Sequence, residues 1–504
     1  MSQSKKSPKT ILIVSYRILD WLYFLIIPEL KKRYKTSFII IGSEKSKNNY
    51  SKLLDQKDQF ILVDDEFENF ISKGFGLTDI EEEQKAREIE KTYSINYMCD
   101  ILQQDRALSS SFLQHSPNFI WSNNEVKKSE EMIRNVNGYV RFAEKLLKYN
   151  IETAFVWPVD LLSATLSNVL ENKGIFITYP YNSKFKSYGF WADNAFQDSK
   201  QLEKSFKKTK FKNLINLKSI QPPETGWPDT RVMDKTYSIM SLSKNLFKII
   251  LFRVEFLVLD LIKLDFKKKK RVSFFSSLKF QLNKWSIYRF ISKNSERNIN
   301  KFQKPFLFYA IPLEPEFSVQ ARCKEFNDQK AIIKLLALNM PAGYEVIIKE
   351  HSDVGRRSKN FYLELLKFPN IRMAHPSIRG IDLVKQARAV ASMAGTVSLE
   401  ASIMGKRVVE FSLHSSFSFL NNVYTIKDIS NIKSIIGKVM QNLDTKTKIG
   451  IRKDGSKLIQ AIKNISFEAR STPLFYNDKT VISKKSLDRA IELFINNYHD
   501  YLKK

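Results

Sequence analysis

The chain opens with a short apolar run, Thr10 to Ser15, followed by a helical stretch that closes on Glu29-Leu30-Lys31-Lys32-Arg33-Tyr34 and by a second apolar run, Phe38 to Gly42. Short runs without polar alternation suit strands buried on both faces of a parallel sheet, with the helix lying over one side. Further strands are predicted at Phe60 to Val63, Phe119 to Trp121, Thr153 to Trp157 and Ile175 to Tyr179. Helical patterns such as Glu81 to Ser110 and Asn135 to Lys148 separate them. Residues 1–200 therefore read as one doubly wound α/β domain.

Strand alternation stops near 201 and returns at 305. Residues 201–304 are basic, aromatic-rich and helical in pattern, and Phe247 to Ile262 is apolar enough to bury a broad helical face. From 305 onward strands are expected at Phe306 to Ile311, Tyr344 to Lys349, Ile371 to Ala374, Ala389 to Met393 and Val408 to Phe411. Helices fall between them, near Asn327 to Asn339, Lys359 to Lys367, Ile381 to Ala387 and Val397 to Met404. That spacing predicts a second doubly wound domain over 305–480. A last helix, Lys485 to Leu502 within 481–504, is expected to cross back over the first domain. The fold class is α/β, two Rossmann-like domains facing a cleft and joined by a basic helical segment.

Composition agrees with this division. A chain of 504 residues, 43% hydrophobic, is long enough for two domains of about 200 residues each. Its two cysteines, Cys99 and Cys323, stand outside any disulfide framework or zinc-ligand spacing, which fits a reducing cytoplasm. The run Ile11 to Val14 is too short for a signal-peptide core, and Trp21 to Ile27 falls well short of the roughly 20 residues of a membrane span. A cytoplasmic chain is expected.

Charge sharpens the picture. The formal charge is +29, with 82 Lys and Arg against 53 Asp and Glu. Such an excess suits a polyanionic partner, and nucleic acid, anionic lipid and acidic glycan all qualify; an AT-rich genome would also enrich lysine. No RRM, KH or helix-turn-helix signature supports nucleic acid. Leu261 to Lys304 holds thirteen Lys and Arg against two acidic residues, including Lys267, Lys268, Lys269, Lys270 and Arg271 in one run. A basic run beside an apolar helix suits a segment lying at an anionic membrane surface, and equally a linker helix with a solvated turn.

Ligands of open α/β sheets bind at the carboxyl ends of the strands. There the second half carries Glu314 and Glu316, then Lys349, Glu350 and His351, then His375, then Gly395-Thr396-Val397-Ser398-Leu399-Glu400. Gly395 permits close backbone approach, Thr396 is the expected N-cap, and the helix start offers N–H groups and a positive dipole end to a phosphate. Glu400, one turn in, suits vicinal hydroxyls such as those of a ribose. Taken alone, the same stretch also reads as an ordinary capped crossover helix. A general base belongs in the first domain, with Asp105 and Asp160 as candidates; Asp105 reads equally as an ion pair with Arg106, and Asp160 as a helix cap.

These strings resemble the capsule polysaccharide biosynthesis family, GT-B enzymes that include capsular Kdo transferases. Phe308 to Glu316 looks like the family's strand and Pro-Glu loop. Pro341 to His351 is similar to its strand ending in Lys-Glu-His-Pro, Phe361-Tyr362 precedes Pro369-Asn370 as expected, and Gly395 to Lys406 looks like its signature helix. Ser352 stands where the family usually has proline, which removes a source of loop rigidity, and Arg407 replaces another proline.

The resemblance implies that Lys349 and His351 face a donor phosphate, that Gly395, Thr396 and Ser398 cradle it, and that Glu400 holds nucleotide hydroxyls. It favours Glu316 as a donor contact and leaves His375 open. The implied activity is metal-independent transfer from a nucleotide sugar, CMP-Kdo-like or UDP-linked, to a capsular or other surface glycan or glycolipid, with no cofactor. Two competitors share the architecture: a non-hydrolysing sugar-nucleotide epimerase, and a non-catalytic membrane-associated polysaccharide assembly protein.

Overall fold

A computed structural model describes residues 6–15, 19–106, 108, 128–183, 185, 188–196, 198–215, 230–263, 274–393, 395–469 and 482–503. The first apolar runs form strands β1 (Thr10–Val14), β2 (Ser37–Gly42), β3 (Gln59–Leu62), β4 (Thr153–Phe155) and β5 (Phe176–Thr178). They make one parallel sheet in the order β3-β2-β1-β4-β5. Ile11, Leu12 and Ile13 are fully buried, as expected for a central strand covered on both faces. Helices α1 (Asp20–Tyr34) and α2 (Leu161–Asn172) follow β1 and β4. The predicted strand Phe119 to Trp121 lies outside the described residues.

The helix expected over Glu81 to Ser110 is shorter. It spans Asp79–Tyr93, starts at a Thr78/Glu81 capping box and stops where Ser94 takes a left-handed conformation at φ 50°. After β5 come two short strands, β6 (Pro180–Asn182) and β7 (Tyr188–Trp191), paired antiparallel.

The connecting segment contains α3 (Ile239–Lys263) and α4 (Phe274–Lys293), which pack against each other. Ile287, Tyr288 and Ile291 on α4 enter the core of the second domain. That domain holds β8 (Phe306–Ala310), β9 (Glu345–Lys349), β10 (Ile371–Ala374), β11 (Ala389–Ser392), β12 (Arg407–Glu410) and β13 (Val423–Thr425). They form a parallel sheet in the order β10-β9-β8-β11-β12-β13. β13 is a sixth strand that the sequence pattern did not reveal.

Both sheets thus share one winding, and strand order reverses between β1 and β4 and between β8 and β11. These are the switch points at which doubly wound sheets leave a crevice. The two carboxyl ends approach each other: Trp157, past β4, packs on Phe317, past β8, with ring centroids 6.1 Å apart.

Helices α5 (Thr396–Ile403) and α6 (Thr445–Asn464) cover the second sheet, and the chain then returns. β14 (Phe467–Glu468) already pairs with β7, and α7 (Lys484–Tyr501) packs Ile491, Phe494 and Tyr498 into the core with Ile11, Tyr23 and Phe155. Trp191 Nε1 donates to the Ala490 carbonyl at 2.8 Å. Among the described residues, no helix is long and apolar enough to cross a membrane.

Candidate functional site

The loop after β9 is built on a buried charge network. Glu350 accepts from Arg357 Nη1 at 2.8 Å, from the Tyr362 hydroxyl at 2.5 Å and from the His351 N–H at 2.8 Å. Arg357 Nη2 donates to Glu314 at 2.5 Å and to the Pro312 carbonyl at 2.7 Å. One guanidinium therefore serves two carboxylates. Burial outweighs its attraction for Glu314, whose carboxyl is pushed up to about 7.

Ser352 does not leave this loop slack. The Tyr237 hydroxyl donates to the Ser352 carbonyl and accepts from the Val354 N–H, each at 3.0 Å. Asp353 pairs with Lys284 of α4 and with Arg356, the latter at 2.8 Å. Gly355 sits at φ +107°, where a Cβ would come 2.4 Å from the Cα of Lys284, so only glycine fits. The rigidity that proline would supply comes instead from the connecting helices.

His351 Nδ1 accepts from the Asp353 N–H at 3.0 Å. Because a main-chain N–H can only donate, the ring proton resides on Nε2. Burial, reinforced by Lys349, pulls the imidazole down to about 3 and keeps it neutral. A neutral ring protonated on Nε2 can face a donor phosphate as a hydrogen-bond donor, not as a cation.

Lys349, at the end of β9, is buried, and burial pulls its ammonium down to about 8 against the opposing pull of Glu350 and Glu400. Glu400 lies across the end of β8 on α5. Loss of solvent pushes its carboxyl up to about 7, with Lys349 opposing. β9 and β11 are two strand spacings apart, about 10 Å, so their loops flank the end of β8 at the switch point.

The N-cap of α5 is Gly395, and Thr396 is the first helical residue. Glycine has no side chain to offer, so no side-chain cap meets the first-turn N–H groups. Gly395 itself donates to Ser392 Oγ at 3.0 Å. Ser398 is turned away: its buried hydroxyl donates to Glu410 at 3.2 Å, and Glu410 also accepts from Ser415 at 2.7 Å. Of the expected cradle, Ser398 can contribute its main-chain N–H and not its hydroxyl.

The remaining expected residues fall into other places. Glu316 begins the short helix Phe317–Gln320, half-buried, with the Ser318 hydroxyl on its carboxylate. His375 is fully buried, and both ring nitrogens are taken, by Ser377 at 2.6 Å and by Ser292 of α4 at 3.2 Å. It ties the connecting segment to the sheet and does not reach the crevice. Asp160 is the N-cap of α2, accepting from the Ser163 N–H at 2.9 Å. Asp105 accepts from the Leu108 N–H at 2.9 Å and the Leu161 N–H at 3.2 Å. Both expected bases thus accept from N–H groups at a helix start, and Arg106 lies over the Trp157 ring. Lys267, Lys268, Lys269, Lys270 and Arg271 lie outside the described residues.

Arg357 and Tyr237 were not singled out from sequence. The adjacent pair Arg356-Arg357, six residues past Glu350-His351, was the available signal for the first. Tyr237 is more than a hundred residues from its loop and carries no local signal.

No family model and no curated protein matches the chain. Solved structures resemble it at low identity. KpsC of Thermosulfurimonas dismutans, a β-Kdo 2,4 transferase, is 11% identical over 62% of this chain and 87% of its own, with a TM-score of 0.31. The calicheamicin glycosyltransferase CalG4 is 10% identical over 99% and 100%, at 0.28. UDP-GlcNAc 2-epimerase of Methanocaldococcus jannaschii is 12% identical over 90% and 99%, at 0.25. Likenesses this distant say nothing of activity.

Proposed function

We propose that the chain is a GT-B glycosyltransferase that binds a nucleotide sugar in the crevice between Lys349, His351 and the start of α5. The observation that carries this reading is the mutual electrostatic pull of buried Lys349 and Glu400 beside a helix N-terminus whose cap residue has no side chain. A cation and unfilled N–H groups suit phosphate oxygens, while a carboxylate a turn further on suits hydroxyls and would repel phosphate. One nucleotide satisfies both demands.

In that pose the acceptor hydroxyl attacks the anomeric carbon as the bond to the phosphate oxygen breaks, and the hydroxyl proton passes to solvent or to a first-domain carboxylate such as Asp105 or Asp160. The leaving nucleotide carries the developing negative charge, which the α5 amides, Lys349 and the Nε2 proton of His351 are placed to stabilise. The strings Phe308 to Glu316, Lys349-Glu350-His351 and Gly395 to Lys406 favour a donor of the capsular type, CMP-Kdo-like or UDP-linked, and a surface-glycan acceptor.

A thermal-shift screen with CMP, UDP, GDP and ADP tests the reading, since a ligand bound only by the native state raises its melting temperature. One nucleotide family is expected to stabilise the chain, and Lys349→Met to shrink the shift. Indifference to all four sinks the proposal. Conversion of UDP-GlcNAc with no acceptor present would replace it with an epimerase.

A further inference from the structure

Eight of the twenty-two exposed large apolar residues among the described residues lie on α3 and α4. On α3 they are Ile239, Met240, Phe247, Ile250, Leu251 and Val254, exposed by 46% to 70%. At 3.6 residues per turn these six fall within about one third of the helix circumference, so they form a stripe. On α4, Phe275, 75% exposed, and Leu282 stand one above the other at a spacing of seven residues. Lys244 and Lys248 border the stripe, and Lys279 and Arg289 stand exposed on α4. No acidic residue occurs from Ile239 to Val254 or from Phe274 to Lys293.

The opposite side of this helix pair is fixed. Tyr288 donates to Asp234 at 2.7 Å and stacks on Tyr237 with ring centroids 4.5 Å apart, while Ile287 and Ile291 sit in the second-domain core. The stripe is therefore the outer face of an anchored platform.

We infer that the outward face of α3 and α4 rests on an anionic lipid surface, with the apolar stripe in the headgroup boundary and the bordering lysines on lipid phosphates. The sequence pattern placed lipid contact on the apolar helix Phe247 to Ile262 together with the run Lys267 to Arg271; the exposed stripe on α3 begins at Ile239 and stands without that run. Charge favours lipid over self-pairing, because the lysines beside the stripe match anionic headgroups and would meet a second copy of the same basic face unfavourably. This inference rests on the two helices alone and is independent of the transferase reading.

Co-sedimentation of the full chain with vesicles tests it, using phosphatidylcholine alone and phosphatidylcholine mixed with phosphatidylglycerol. The chain is expected to bind the mixed vesicles more tightly, and added salt to weaken that binding. The double variant Phe247→Asp, Leu251→Asp should bind about a hundredfold more weakly. Leu338→Asp, at a 72% exposed site on another surface, should bind as the parent does and controls for folding. Lys244→Glu with Lys248→Glu should remove the preference for phosphatidylglycerol. Failure to bind either vesicle, undiminished binding by the Phe247/Leu251 variant, or a lipid-free dimer that the same variant splits would each overturn the inference, the last in favour of a protein interface.

Discussion

The Tyr237 hydroxyl and the Ser352 carbonyl are 3.0 Å apart, joining the connecting segment to the loop that carries His351. The same oxygen accepts from Val354, so one phenol closes two loop bonds. Removing it leaves a buried donor and acceptor unpaired, which costs about 1–3 kcal/mol. Tyr237→Phe should therefore lower the denaturation free energy by that amount and weaken nucleotide binding several-fold. Tyr288→Phe, which loses a bond to Asp234 away from the loop, should lower stability without changing nucleotide affinity. Equal affinity losses in both variants would show that the loop does not depend on this bond.

Arg357 neutralises Glu350 and Glu314 from inside the protein, and Arg357→Met leaves both carboxylates without their cation. Breaking a buried pair in this way costs about 3–5 kcal/mol, to be read from a chemical denaturation midpoint. The pH dependence has a definite sign. Burial raises the Glu314 carboxyl from its ordinary 4.5 to about 7, so the folded protein holds that proton more tightly than the unfolded chain. Its contribution to stability is complete below 4.5 and is lost as pH rises through 7. Stability should decline between pH 5 and 8, and Glu314→Gln should flatten that decline.

Most of the scaffold was legible from hydrophobic runs. β1, β8, β9, β10 and β11 begin and end within a residue or so of their apolar segments, because strands covered on both faces need unbroken hydrophobic sequence. The placement of the candidate residues was legible where it is local: Lys349 ends β9, and Gly395 and Glu400 follow β11, at one edge of one sheet. It was not legible where a role depends on tertiary partners. Ser398 turns inward because Glu410 lies beneath it, His375 is claimed by Ser292, and Asp105 is claimed by Leu161, 56 residues away. Spacing along the chain says nothing of such partners.

Gly455 on α6 is a remote support for the site. A Cβ at this position would come within 2.6 Å of the Ile403 Cα, main chain that cannot yield as a flexible side chain would. Gly455→Ala should push α6 from the end of α5, at a cost of about 1–3 kcal/mol. Nucleotide affinity should fall as well, since α5 carries the proposed phosphate site at its other end. A variant as stable as the parent would show that the two helices separate freely.

The Lys349–Glu400 pair predicts a narrow optimum for nucleotide binding. The carboxylate must be ionised to accept hydroxyls, which requires a pH above about 7, and the ammonium must keep its proton to hold phosphate, which requires a pH below about 8. Affinity measured by titration calorimetry should rise toward pH 7 and fall beyond pH 8. His351 should add no limb between pH 5 and 9, because its imidazole stays neutral down to about 3. Glu400→Gln should remove the acidic limb alone and Lys349→Met the alkaline limb alone. A 2′,3′-dideoxy nucleotide, with no vicinal hydroxyls to offer, should lose the acidic limb against the parent protein. An acidic limb that survives with the dideoxy ligand would mean that Glu400 faces something other than those hydroxyls, and the proposed pose would have to be reversed.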